Sequence, residues 1–195
     1  MKNQTREQWL NALAVALQIE FAKEGLKLPK HRITCGFPSK GGLAVKKRTI
    51  GQCWTPKASA DGTTEIIIGI TQDEPMTVAG VLAHEMIHAV VTVEAGHKKP
   101  FRDMALAIGL QGKMVETKEG PEFIKRVKPL LKKIGTYKHA KLDPNVGRKK
   151  QSTRMIKLQC TAAHCGMIFR TSAKWFEISG GELACPICHC YCDKG

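Results

Sequence analysis

The residues His84-Glu85-Met86-Ile87-His88 interrupt a run that is otherwise almost wholly apolar, from Val78 to Val93. A helix carrying Val78, Val81, Leu82, Met86, Ile87 and Val90 is apolar around its whole circumference, so it has to be buried. Burying two imidazoles and a carboxylate costs several kcal/mol unless something pairs with them. Histidines four apart project from one helix face, with the glutamate one step round. An H-E-x-x-H metal centre uses that spacing, with His84 and His88 as zinc ligands and Glu85 as the base for water. The pattern predicts a zinc hydrolase, a peptidase, built on a core helix. The competing reading is a core helix whose three polar groups all find other partners.

A catalytic zinc needs a third protein ligand and an open position. Glu94 stands where metzincins place their third histidine, but those proteins turn sharply at a glycine where this chain has Val91. A helix running on would carry Glu94 off the ligand face. His97 follows Gly96, a residue suited to ending a helix and reversing the chain, and is the favoured third ligand.

The run VLAHEMIHAVVTVEAGHKKPFRDMALAIGL, from Val81 to Leu110, resembles the SprT-like family of zinc metallopeptidases. That family joins H-E-x-x-H to a later histidine, a short spacer and a phenylalanine. Upstream, Gly51-Gln52-Cys53-Trp54 and Glu65–Ile70 resemble the strands that precede its active helix. The resemblance implies His84, His88 and His97 as ligands and Glu85 as catalytic acid and base. It also implies a zincin-like fold, and some members act on proteins crosslinked to DNA. The chain departs from many members at Lys98, where they carry glycine, and the spacing to the third histidine varies in the family.

Eight cysteines could signal a disulfide framework, but six fall in the last 36 residues. Cys160-x4-Cys165 and Cys185-x2-Cys188 enclose a hairpin-sized segment, the pattern of a ribbon holding a structural zinc through four thiolates. The wide first spacing lets His164 replace a cysteine, and His189, Cys190 and Cys192 compete for the same ion. Cys35 and Cys53 stand alone and read as small buried thiols. Cysteines used for metal imply a reducing cytoplasm. The amino-terminal stretch does not resemble a signal peptide, since Glu7, Gln8 and Asn11 break its apolar run. No apolar run approaches the roughly 20 residues of a membrane span.

The formal charge of +14 predicts attraction to polyanions, with nucleic acid the commonest partner. Much of it gathers in Lys138, Lys141, Arg148, Lys149, Lys150 and Arg154, around Pro144 and Gly147, which reads as a basic linker. Trp175 and Phe176 could stack on bases, although a module so poor in apolar residues favours them for its own core.

The expected architecture is α+β: a domain over residues 1–136, the linker over 137–154 and a small β zinc ribbon over 155–195. Thr5 and Gln8 fit a capping box that starts a helix running to about Lys27. Strands are expected at Arg32–Phe37, Thr49–Trp54 and Glu65–Ile70, the last either an ordinary core strand or the edge that holds substrate. The His-bearing helix should stop at Gly96, followed by helices at Pro100–Ile108 and Pro121–Ile134. In the ribbon, Met167–Arg170 and Trp175–Ile178 are expected as strands. Arg102, Tyr137 and His139 are candidate oxyanion donors. Taken together the sequence predicts a zinc endopeptidase brought to DNA by ribbon and linker. The alternative is a nucleic-acid-binding or transcription-associated zinc protein whose peptidase-like domain does not turn over.

Overall fold

Helix α1, Arg6–Lys23, begins at Thr5, whose hydroxyl accepts from the Gln8 N–H while the Gln8 side chain accepts from the Thr5 N–H. This capping box satisfies two of the free N–H groups at the helix start. Trp9, Leu10, Leu13, Leu17 and Phe21 form its buried stripe. The chain is described by a computed structural model over residues 4–147 and 155–194. It divides into two compact units, Met1–Val146 and Gly147–Gly195, and its class is mixed α+β.

In the first unit, β1 (His31–Gly36), β2 (Gly51–Trp54) and β3 (Thr64–Gly69) form one sheet in the order β1-β3-β2. The pairing of β1 with β3 is parallel and that of β2 with β3 antiparallel. The strand expected as a candidate edge is therefore the central one. Its alternating buried residues Ile66 and Ile68 lie at 0% and 2% exposure, as a strand flanked on both sides requires. The edge is β2.

Helix α2, Pro75–Val91, packs its Val78, Leu82, Met86 and Ile87 into the same core. Pro75 occupies its first turn, and the Glu74 carboxylate accepts from the Thr77 N–H. The helix stops at Val91, five residues before the expected glycine. Thr92 takes φ 69°, a left-handed conformation rarely adopted by a β-branched residue. One 3₁₀ turn, Val93–Ala95, and Gly96 at φ 55° then carry the chain round to His97.

Helix α3, Lys99–Ala107, follows, then a hairpin of β4 (Leu110–Lys113) and β5 (Glu116–Glu119), and helix α4, Pro121–Ile134. The hairpin has no counterpart in the expected elements. It packs on α2 at Gly80, where a Cβ would meet the Glu119 side chain and make it shift, so the glycine gives that side chain its present place.

The basic stretch after α4 begins as part of this unit rather than as a linker. Tyr137 is buried and packs edge-on against Trp9 at 4.8 Å. Arg6 donates to the Ala140 carbonyl, the Leu142 N–H donates to the Ile70 carbonyl, and Lys141 lies 3.9 Å from Asp73. One aromatic residue with a hydrophobic partner outweighs the charges around it. Lys138 and Lys141 fall in this packed segment, whereas Arg148, Lys149, Lys150 and Arg154 lie outside the described residues.

The second unit is a four-stranded antiparallel sheet: β6 (Met155–Cys160), β7 (Ile168–Ser172), β8 (Leu183–Ala184) and β9 (Tyr191–Lys194), in the order β7-β6-β9-β8. The expected strand at Trp175–Ile178 is instead part of helix α5, Ala173–Ile178. Ser172 caps it by accepting from the Trp175 N–H, and Gly180 and Gly181 at positive φ end the segment. The two aromatics of that helix part company. Phe176 packs against the small core, while Trp175 is 59% exposed.

Candidate metal centres

Helix α2 presents His84 and His88 one turn apart, and the turn at Thr92–Gly96 brings His97 over them. The His97 Nε2 lies 3.2 Å from the His84 Nε2 and 3.1 Å from the His88 Nε2. Three ring nitrogens aimed at one point cannot satisfy one another by hydrogen bonding, since each carries either one proton or one lone pair. A metal ion resolves the conflict. Tetrahedral ligands about 2.0–2.1 Å from zinc stand about 3.3 Å apart, close to the observed separations. His84, His88 and His97 could thus hold one metal ion. Glu94, the competing third ligand, is exposed and lies outside this group, because the chain has already left the helix at Thr92.

The surroundings keep these rings in the ligand state. Burial, with the charges of His88 and His97, pulls the His84 imidazole down to about 3. Burial and His97 pull His88 down to about 4, and burial also lowers His97. All three stay neutral at ordinary pH, as metal binding requires. Phe101 is fully buried against all three rings, with centroids 4.7, 4.5 and 4.9 Å from His84, His88 and His97. The phenylalanine of the sequence motif is the floor that sets their tilt.

The outer nitrogens are treated unequally. The His84 Nδ1 lies 2.9 Å from the Thr117 hydroxyl on β5, and its N–H donates there when Nε2 faces a metal. The His88 Nδ1 is buried without a hydrogen bond. Thr117 carries no sequence signal, because only the hairpin pairing and the seat at Gly80 bring it to α2.

Glu85 is buried, and burial raises its carboxyl to about 8. Gly51, the first residue of β2, lies against it: a Cβ there would strike Glu85 Oε1 and the Val81 side chain. The edge strand and the carboxyl thus meet without a side chain between them. Glu85 and the three histidines line a cleft of about 780 Å³, bounded by Lys47–Cys53 on one side and by Lys113 and Val115–Thr117 of the hairpin on another. Arg102, Tyr137 and His139 do not line it, and Tyr137 is in the core against Trp9. Cys53 is buried beside the cleft, and Cys35 is half-buried.

In the second unit Cys160, Cys165, Cys185 and Cys188 come together as a second group that could hold a metal ion. The Cys160 and Cys188 sulfurs lie 3.4 Å apart, and those of Cys165 and Cys185 3.6 Å. A disulfide would bring them to about 2.05 Å, whereas tetrahedral thiolates around zinc stand about 3.8 Å apart. All eight cysteines are free. Around the second pair, backbone N–H groups point at sulfur. That of Cys190 pulls the Cys188 thiol down to about 6, and those of Cys188 and Ile187 lower Cys185. Favouring the thiolate favours metal ligation. His164, His189, Cys190 and Cys192 are outside the group, although Cys192 is buried behind it and its pairing with Cys160 joins β9 to β6.

No helix among the described residues is long and apolar enough to cross a membrane. No family model, no curated protein and no solved structure matches the chain.

Proposed function

We propose that this chain is a SprT-like zinc endopeptidase with a zincin-like first unit, acting on proteins bound or crosslinked to DNA. The observation that carries the reading is the convergence of His84, His88 and His97 on one point, in an open cleft that also holds Glu85. His84, His88 and His97 would hold a zinc ion, which would supply Lewis acidity toward water and a substrate carbonyl. A cation held by the histidines would favour the ionised form of Glu85 against the effect of burial. Ionised Glu85 would take the proton of the attacking water and deliver it to the leaving amine. The unpaired edge of β2, ending at Gly51 beside Glu85, offers backbone groups to an extended substrate strand.

The four thiolates of the second unit hold a structural zinc in this reading. Nucleic acid is recruited through the net charge of +14 and through the exposed Trp175, whose ring has Lys174 Nζ 5.4 Å from its centroid. The test is cleavage of a DNA-bound protein with and without single-stranded DNA, comparing wild type with Glu85→Gln. Glu85→Gln should keep its zinc and lose at least about a hundredfold in rate. Equal cleavage by both would remove Glu85 from the mechanism. Zinc-loaded protein that binds DNA but cleaves nothing would favour a peptidase-like domain without turnover.

A further inference from the structure

The wall of the cleft that leads into β2 carries two adjacent cations, Lys47 and Arg48, and the opposite hairpin wall carries Lys113. Apart from Glu85, the cleft's lining includes one carboxylate, Glu116, which stands across the hairpin from Lys113 in the strand register. Some cations elsewhere in this unit are matched. Arg32 is paired with Asp61 and Glu65, Arg126 with Glu24, Lys99 with Asp103 and Lys141 with Asp73. Others, Lys40, Lys125 and Lys128 among them, have no salt-bridge partner among the described residues, so what sets Lys47 and Arg48 apart is their place on the cleft wall. Among the described residues, neither Lys47 nor Arg48 has a carboxylate within salt-bridge distance. Arg48 spends only its Nε, on the Ala44 carbonyl 3.0 Å away, which leaves the outer edge of its guanidinium open.

The segment bearing them is held in place. Gln52 of β2 reaches back to Ser39, accepting from its N–H at 2.7 Å and donating to its hydroxyl at 2.9 Å. The Thr49 N–H closes on the Gly41 carbonyl. Lys47 itself sits at φ 50°, a left-handed conformation that glycine or asparagine takes more cheaply. A lysine kept at such a position, in a braced loop beside a cleft, points to its charge as the reason.

Resting on the peptidase reading above, we infer that Lys47 and Arg48 read the substrate, selecting polypeptides with Asp or Glu side chains next to the scissile bond. The loop runs directly into β2, so a peptide laid along that edge passes under both cations. A carboxylate there exchanges water for charge-assisted hydrogen bonds from groups already in position, and loses little ordering entropy in doing so.

Binding tests this without needing turnover, so its failure and that of the hydrolase reading are distinguishable. The full-length, zinc-loaded Glu85→Gln protein is titrated with fluorescent decapeptides identical except for Glu, Ala or Lys flanking a central Ala-Ala. The Glu peptide should bind about tenfold tighter than the Ala peptide, the scale of one charge-assisted hydrogen bond. Lys47→Gln with Arg48→Gln should erase the difference, and Lys47→Glu with Arg48→Glu should invert it in favour of Lys. Lys47→Gly, which suits the backbone at that position, should reduce the preference in a loop that is free of strain. Equal binding of Glu and Ala peptides, no measurable binding of the Glu peptide, or a preference that survives both neutral substitutions would each overturn the inference. So would a loss confined to oligonucleotide binding, which would make the occupant of this wall a nucleic-acid strand.

Discussion

The histidine group and the cysteine group present metal-ligand geometry by opposite means. The first unit buries two dozen apolar residues in one cluster, running from Trp9 to Tyr137, and the histidines are mounted on a helix already fixed by that core. The second unit buries four residues in its cluster, Leu158, Cys160, Cys185 and Cys192, and two of these belong to the candidate metal group itself. A segment of that size has too little apolar surface to offset its chain entropy. In the first unit the fold makes the site, and in the second the site makes the fold.

The sharpest way to break this contrast is to take the metal away. Chelation, or Cys185→Ser, should unfold β6–β9 outright, because the binding free energy of a structural zinc, about 10–16 kcal/mol in small modules, is also its folding energy. Helices α1–α4 should stay folded. Backbone amide protection measured across both units reads both outcomes. A second unit that remains protected in chelator would show that its few apolar contacts suffice.

A finer probe is Thr117→Val, which removes the hydrogen-bond partner of the His84 Nδ1 but keeps the side-chain shape. Metal affinity at the histidine group should fall about 10–100-fold, and Thr117→Ser should restore it. Competition with a chromophoric chelator measures this, and the cysteine group in the same molecule serves as the control. An unchanged affinity would place the whole ring orientation on Phe101.

The smallest effect concerns pH. The Arg32 guanidinium beside them holds the Asp61 and Glu65 carboxyls below their ordinary values. Depressed folded values mean that the stabilisation is fully present above the unfolded carboxylate range, near pH 4, and is lost as pH falls below it. The cluster is exposed, so Arg32→Ala should shift the acid-unfolding midpoint of the first unit only slightly upward. The second unit, with no ion pair among its described residues, should not respond.

Much of the first unit was legible because its signals are local. The Thr5–Gln8 box starts α1, the buried run carries the H-E-x-x-H pair, and Pro121–Ile134 is a helix as its amphipathic pattern predicts. His97 could be proposed from Gly96 alone, although the chain in fact turns earlier, at Thr92. Long-range contacts carried what was missed. The hairpin at Leu110–Glu119 shows no two-residue apolar alternation, since its shape is set by pairing and by the seat at Gly80. The place of β3 between β1 and β2 is a matter of topology, not composition. In the second unit, Trp175–Ile178 looks strand-like by residue type, but the Ser172 cap decides for helix.

Tyr137 on Trp9 has one more consequence. The lysine-rich segment after α4 works as a clasp, with its aromatic residue closing over the start of the chain and its backbone tied to Ile70. Trimming the protein at residue 136, where charge alone would put the boundary, uncovers the indole of Trp9 and frees Arg6 from Ala140. A fragment meant to stand alone therefore has to extend ten residues further, to Val146. In this chain a stretch that reads as tether by its charges is, by its contacts, part of the wall.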